Sequence, residues 1–275
     1  MIQGTLYLVP TPIGNLGDMT FRGVETLKTV DLIACEDTRT SQVLLNHYGI
    51  KHKLISYHKF NEAKQTNYLL ERLKEGKNIA VITDAGTPGI SDPASVLVKA
   101  AIAEKIKVTC LPGATALIPA LAASGLETGI FTFVGFLPSQ KKERKALLKE
   151  IQNLSHTLVI YESSHRIKET LSELSEYFSD RQCVIAREIS KLYETFYHGK
   201  LEDFITSEEI EARGEFVILL SGKLQTALNE EELIPLIKQE IDKGKTLKEI
   251  ANELSKATEC NRNKIYTLAL KIKQQ

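Results

Sequence analysis

The stretch Asp84-Ala85-Gly86-Thr87-Pro88-Gly89-Ile90-Ser91-Asp92-Pro93 decides the fold class of this chain. It follows residues 79–83, the most strand-like run of the sequence, and leads into an amphipathic run, residues 91–103, that reads as a helix. Strand, long small-residue turn and helix form the repeating unit of an α/β sheet. Ligands of open α/β sheets sit beyond the carboxyl ends of the strands. The small residues here let backbone groups touch a ligand directly. Asp84 and Asp92 can accept hydrogen bonds from a ligand's hydroxyls or ammonium, or cap the helix that follows. Capping is the expected role of Asp92.

The same unit recurs outward from this loop. Strand-like runs fall at residues 5–9, 32–35, 53–57, 79–83 and 108–111, with a further amphipathic stretch at 61–74. That alternation predicts a mainly parallel α/β sheet. Two more strand ends carry unusual loops. Val9-Pro10-Thr11-Pro12-Ile13-Gly14-Asn15-Leu16-Gly17-Asp18 is long for a β–α connection, and its prolines and glycines give it stiff and tight points. Leu111-Pro112-Gly113-Ala114-Thr115-Ala116 leaves room for a flat polar ligand beside Thr115. None of these loops ends in the Gly-Lys-Ser/Thr of a P-loop, and no GxGxxG occurs, so neither a P-loop nor a nicotinamide site is expected.

A second set of strands is expected at residues 131–136, 157–161, 183–186, 195–198 and 216–220, with helices at 140–153 and 166–178. Less helix separates the later strands, which points to a mixed sheet. The domain boundary is placed at 115/116, in an apolar Pro/Gly/Ala-rich segment that implies tight packing of the two halves. After residue 224 the character changes to three short helices. Asn229 with Glu232, and Thr246 with Glu249, read as capping boxes, and Gly244 as a stop. Leu247, Ile250, Ala251 and Leu254 form one apolar face, and Ile265, Leu268, Ala269 and Ile272 another. Between 256 and 273 the bases Lys256, Arg262, Lys264, Lys271 and Lys273 face a single acid, Glu259. This tail is a candidate RNA-binding surface of helix-turn-helix type; equally, it packs on the core or on a partner subunit.

Composition narrows the class. The 275 residues are 43% hydrophobic and 25% charged, as in a globular protein, and equal numbers of bases and acids argue against a generic polyanion binder. No long apolar run or signal-peptide pattern is present, and Cys35, Cys110, Cys183 and Cys260 are scattered. Reduced structural thiols in a cytoplasmic protein are expected, with no metal site.

Three charged groups also follow strands: Glu36-Asp37-Thr38-Arg39, Tyr161-Glu162-Ser163-Ser164-His165-Arg166 and Arg187-Glu188. Structural ion pairing is the ordinary reading. Their common position at the strand ends raises the functional one. The residues by themselves reach a two-domain α/β enzyme with a cofactor-like cleft, and not yet its reaction.

The order and wording of these blocks go further. Leu6-Tyr7-Leu8-Val9-Pro10-Thr11-Pro12-Ile13-Gly14-Asn15-Leu16, Cys35-Glu36-Asp37-Thr38-Arg39, the 84–93 loop and Pro112-Gly113-Ala114-Thr115-Ala116 all resemble the family that 2′-O-methylates a cytidine of small-subunit (16S) ribosomal RNA. That family lies within the tetrapyrrole methylase superfamily. The match continues through Phe133-Val134-Gly135-Phe136-Leu137-Pro138, Tyr161 to Arg166, Ala186-Arg187-Glu188 with Lys191, and Gly214-Glu215-Phe216.

The resemblance implies two α/β domains, residues 1–115 and 116–224, with S-adenosylmethionine in the cleft between them and a helical module from 225 to 275. It also implies a homodimer, while the zero net charge and short basic tail point to a shaped, protein-bearing substrate, the RNA within the 30S particle. Cofactor contacts then fall on Pro12, Asp84, Ala85, Gly86, Thr87, Ile90, Thr115, Ala116, Glu162, Ala186 and Gly214. Thr87 stands where the tetrapyrrole enzymes carry Asp, and Asp84 is placed to compensate. Methyl transfer to a ribose hydroxyl needs in-line placement and a proton acceptor. Candidate bases are Glu36, Asp37, His58, Glu162 and His165. Candidate phosphate or ribose holders are Arg39, Arg166, Arg187 and Lys191. The competing readings are a tetrapyrrole C-methyltransferase and a non-catalytic RNA-binding assembly factor.

Overall fold

A computed structural model describes residues 3–223, 230–258 and 260–274. These gather into two compact units, residues 1–222 and 223–275. The first holds two five-stranded sheets.

The first sheet comprises β1 (Thr5–Leu8), β2 (Leu32–Cys35), β3 (Leu54–Ser56), β4 (Ile79–Ile82) and β5 (Lys107–Cys110), all parallel, in the order β3-β2-β4-β1-β5. The strands read as nearly unbroken apolar runs because both faces are covered. Leu6, Leu8, Ala34, Ile79 and Val81 point to one face, against Leu69 and Leu73 of α3 (Glu62–Lys74) and Leu97 and Ala101 of α4 (Ser95–Ala103). Val9, Ile33, Cys35, Ala80 and Ile82 point to the other, against Leu27 of α1 (Phe21–Thr29) and Leu45 of α2 (Thr38–His47).

This arrangement fixes where a ligand can enter. The chain leaves β1 through α1 toward one edge and leaves β4 through α4 toward the other. The two crossovers therefore cover opposite faces, and the loops after neighbouring β1 and β4 splay apart. The switch point falls between residues 9–20 and 83–94.

The second sheet comprises β6 (Phe131–Phe136), β7 (Thr157–Ser163), β8 (Gln182–Arg187), β9 (Thr195–Lys200) and β10 (Glu215–Leu220), in the order β6-β7-β10-β8-β9. It is mixed: β6 and β7 run parallel and the other pairs antiparallel. One face packs on α6 (Lys141–Ile151) and α7 (Ile167–Phe178) through Leu158, Ile160, Ile185 and Ile218. The other face, with Val159, Val184, Ala186 and Val217, packs on α5 (Leu117–Ala123).

The second unit is a three-helix cluster of α8 (Glu230–Asp242), α9 (Leu247–Thr258) and α10 (Arg262–Lys273), closed over Leu233, Ile237, Ile250, Ile265 and Leu268. Gly244 turns the chain at φ +79°, and the Thr246–Glu249 capping box is formed by reciprocal hydrogen bonds. The other expected box, at Asn229, and the boundary at 224/225 lie outside the described residues, as does Glu259. No helix among the described residues is long and apolar enough to cross a membrane.

Helix α4 begins later than expected, at Ser95, with Ala94 at its cap and no capping side chain. Ser91 and Ala94 both have positive φ, 67° and 154°, so the backbone between them is not helical. Asp92 is therefore not the cap, and its carboxyl is left for the cleft.

Candidate functional site

Three loops meet at the switch point because they are tied to one another. The Thr11 amide donates to the Gly86 carbonyl at 2.9 Å and the Gly86 amide to the Thr11 carbonyl at 3.0 Å, while the Thr11 hydroxyl reaches the Thr83 carbonyl at 2.9 Å. The Thr87 hydroxyl donates to the Ala114 carbonyl at 2.9 Å. Gly86 has φ +84°, a conformation open to glycine, which the bridge to Thr11 requires.

A cleft of about 290 Å³ opens at this junction. Glu36, Asp84, Ala85, Gly86, Thr87, Ile90, Thr115, Ala116 and Glu162 all line it, so two distant sequence blocks and the central loop are brought together. Its far wall comes from the second sheet: Phe136, Tyr161, Phe216 and Val217, with Tyr161 edge-on to Phe133 and Phe136. Among the described residues, five carboxylates line the cleft, Glu36, Asp84, Asp92, Glu162 and Glu215, and no Lys, Arg or His does. Such a lining favours a cationic ligand with an apolar body and disfavours a phosphate.

The carboxylates are not alike. Glu162 is 2% exposed, accepts from the Ser163 amide at 2.8 Å and from the Thr170 hydroxyl at 2.6 Å, and has Arg166 at 3.6 Å. It is held by partners on the protein side. Glu36 accepts from the Thr83 hydroxyl at 3.1 Å. Asp84 accepts from the Asp37 amide at 3.3 Å; burial and the Asp37 charge push its pKa up. Asp92 is pushed up to about 6, by burial first and then by the negative charge of Glu36.

The remaining sequence candidates lie around this cleft. Asp37 caps α2: it accepts from the Arg39 amide at 2.8 Å and pairs with the Arg39 guanidinium at 2.7 Å, which holds its carboxyl down at about 2. Arg39 itself projects into solvent. Arg166 donates to the Leu137 carbonyl, and Arg187 to the Arg213 carbonyl and Glu211, so both guanidinia are engaged inside the second sheet's loops. His58 accepts from the Phe60 amide in the turn before α3, and His165 is exposed in the turn before α7; neither lines the cleft. Ala186 is buried behind Val217, its partner across the strands. A side chain at Gly214 would strike Glu188, so this glycine keeps Glu188 in place beside Lys191.

A second cleft, of about 420 Å³, adjoins the first. Pro12, Ile13, Gly14 and Leu16 form one wall, Thr40, Val43, Leu44 and His47 of α2 the opposite one, and Lys191 with Glu215 closes an end. It shares Ile13, Thr83, Asp84, Ala85 and Glu215 with the first cleft. Burial works against the Lys191 charge, but its hydrogen bonds to Glu188 at 2.8 Å and Glu215 at 3.0 Å hold its pKa up.

Sequence reasoning passes over the α2 wall and assigns Asp92 to capping rather than to the cleft. The α2 stripe was partly visible, since Thr40, Val43, Leu44 and His47 are spaced as one helical face. It stays hidden because the preceding Glu-Asp-Thr-Arg reads as a charged loop rather than as a helix start.

Comparison with known proteins follows the same outline. Residues 5–205 match the family of tetrapyrrole (corrin/porphyrin) methylases. Residues 200–262 also match protein phosphatase 2C, a span that runs across the boundary between the two units. The chain is 43% identical over 275 residues to ribosomal RNA small subunit methyltransferase I of Synechocystis sp., covering 98% of this chain and 99% of that protein. It is 47% identical over 230 residues to the protein of the same name from Halalkalibacterium halodurans, covering 83% and 80%. Among solved structures, diphthine synthase superposes with a TM-score of 0.64 at 13% identity, covering 79% of this chain and 90% of that one. Uroporphyrin-III-C-methyltransferase from Thermus thermophilus does so with 0.55 at 18% identity, covering 80% and 94%. These last two share the fold.

Proposed function

The chain belongs to the tetrapyrrole methylase family and, within it, to the ribosomal RNA small subunit methyltransferases I, and we propose that it methylates the 2′-hydroxyl of a cytidine in small-subunit ribosomal RNA. It is an S-adenosylmethionine-dependent methyltransferase. The observation that carries the reading is the first cleft: five carboxylates, no base, and an aromatic wall at the switch point. The cofactor is a sulfonium with an ammonium group and a flat adenine, and that lining fits both its charge and its apolar body. When bound, it supplies an electrophilic methyl group.

The residues supply the rest. The tied loops at Thr11, Gly86 and Thr87 fix the cleft's shape before anything enters it, which keeps the cost of orienting the reactants low. Thr87 ties the central loop to the next one, while Asp84 offers the carboxylate that the tetrapyrrole enzymes carry one turn later. An alcohol must lose its proton as its oxygen is methylated. Asp92, held at about 6, is ionised at neutral pH and still basic enough to take it. Glu162 is engaged by Thr170 and Ser163 and serves as a fixed negative wall. Residues 1–115 and 116–224 act as the two lobes of the site, and the 30S particle and a homodimer are the proposed working context.

The test is transfer of label from methyl-labelled S-adenosylmethionine to small-subunit particles from cells lacking this protein. Alkali-resistant dinucleotides carrying a 2′-O-methylcytidine are expected after digestion. Label in a base, or only in a porphyrinogen supplied in parallel, overturns the assignment.

A further inference from the structure

The turn between β3 and α3 is wired by its own groups. The Asn61 side chain accepts from the His58 amide at 2.8 Å and donates to the Ser56 carbonyl at 3.1 Å. The His58 carbonyl accepts from the Asn61 amide at 2.9 Å, and the His58 Nδ1 accepts from the Phe60 amide at 3.2 Å. Asn61 stands at the cap position of α3, yet its side chain makes no hydrogen bond to the helix. Asparagine is among the best helix caps. Here it holds the turn, and the helix goes without its cap.

What this wiring holds out is an aromatic ring. Phe60 is 94% exposed, and no large apolar side chain of the described residues is more so. It meets His58 in a T-shaped contact with ring centroids 6.0 Å apart, which braces the ring while leaving it open to solvent. A ring fixed in this way is preorganised for a flat partner. Lys59 and Lys64 flank it, both exposed, with Glu62 the one acid between them.

The turn also lies beside the site of reaction. The Tyr57 amide donates to the Cys35 carbonyl at 2.8 Å, and the residue after Cys35, Glu36, lines the cofactor cleft. Paired strands lie about 4.8 Å apart. The turn therefore starts one strand away from the cleft wall, and Phe60 itself lines neither cleft. Unpaired RNA bases are recognised by stacking on aromatic side chains, with cationic groups along the backbone.

We propose that Phe60 is a stacking platform for an unpaired RNA base near the methylated nucleotide, with Lys59 and Lys64 beside it for the flanking phosphates. The proposal rests on the RNA-methyltransferase reading and adds a contact outside both clefts.

Three variants of this exposed position test it, and none removes a group that wires the turn: Phe60→Ala, Phe60→Leu and Phe60→Trp. Binding of the full-length proteins to small-subunit particles is measured without cofactor by co-sedimentation. S-adenosylmethionine affinity is read by calorimetry, and oligomeric state by analytical ultracentrifugation. Phe60→Ala is expected to bind particles roughly five- to 150-fold more weakly, the range of one lost base stack. Phe60→Leu keeps apolar bulk without a π-face and is expected to be similarly weak, whereas Phe60→Trp binds as the unaltered protein does. Cofactor affinity and oligomeric state stay the same in all three. Unchanged particle affinity in Phe60→Ala overturns the platform. Full binding by Phe60→Leu, or weak binding by Phe60→Trp, overturns stacking and assigns an apolar contact to protein. A changed oligomeric state overturns it too, by placing Phe60 between two copies of this chain. Absence of RNA methylation by the unaltered protein sinks the functional reading itself, and is recognised independently of the variants.

Discussion

At Asp92 the environment works against a negative charge. Burial and the nearby Glu36 raise its carboxyl from an ordinary 3.8 to about 6. Such a group binds a proton more readily in the folded protein than in the unfolded chain. It favours folding below the unfolded value, and that contribution is lost as pH rises through about 6. Asp92→Asn is thus expected to melt higher than the unaltered protein at pH 8 and close to it near pH 4, read by calorimetry across pH. Its activity moves the other way. The rate of the unaltered enzyme rises with pH through about 6 and then levels, as the acceptor ionises. The variant is expected to lose roughly 10²–10⁴-fold in kcat and the rising limb with it. A variant that keeps its rate and its pH profile assigns the proton to another group. Sequence offers an aspartate in such a loop two fates, cap or ligand contact, and capping is the expected one for Asp92. The backbone decides between them: Ser91 and Ala94 leave the helical region, and no amide is presented for Asp92 to cap.

Elements were legible in proportion to how much apolar surface they bury. All ten strands of the described residues overlap their expected runs, and burial on both faces writes continuous Val/Ile/Leu stretches, as in Leu158, Val159 and Ile160 or Val217 to Leu220. β3 is shortest, Leu54–Ser56, and only part-buried. The sequence does not single out α1, α2 and α5 as helices. α1 buries only Gly23 and Leu27, and α2 only Ser41 and Leu45, too few positions to write a clear period. What no pattern reveals is how the loops are tied. The Thr87–Ala114 hydrogen bond joins residues 27 apart in sequence and holds two of the three cofactor loops in register. Thr87→Val keeps the shape and removes the donor, leaving the Ala114 carbonyl without this partner. A net loss of about 0.5–1.5 kcal/mol is expected. If the loss falls on the bound state, S-adenosylmethionine affinity drops several-fold in calorimetry while the secondary structure by circular dichroism stays unchanged. An affinity equal to that of the unaltered protein means the loops are held by the Thr11–Gly86 bridge alone.

Over the whole molecule, acids and bases cancel to zero, so an RNA surface has to arise from segregation of charge rather than excess of it. The second unit shows such segregation within itself. α8 carries Glu230, Glu231, Glu232, Glu240 and Asp242 against Lys238, whereas α10 carries Arg262, Lys264, Lys271 and Lys273 and no acid. The apolar side of α10 is spent on Ile265, Leu268 and Ala269, so its bases face outward together with Tyr266 and Leu270. Asn261 caps this helix, accepting from the Asn263 amide at 2.8 Å, which fixes the basic stripe without help from the bases themselves. Reversing Arg262, Lys264 and Lys271 to Glu therefore leaves the unit's core and cap intact. The expected result is weaker binding to small-subunit particles and a salt dependence shallower by roughly 2 in log–log slope, as for three lost phosphate contacts on a single strand. Cofactor affinity should not move, because the residues that line the cofactor cleft all belong to the first unit. Equal loss of both affinities would mean that the module supports the fold rather than the RNA. Unchanged particle binding would mean that α10 makes no phosphate contacts in the complex.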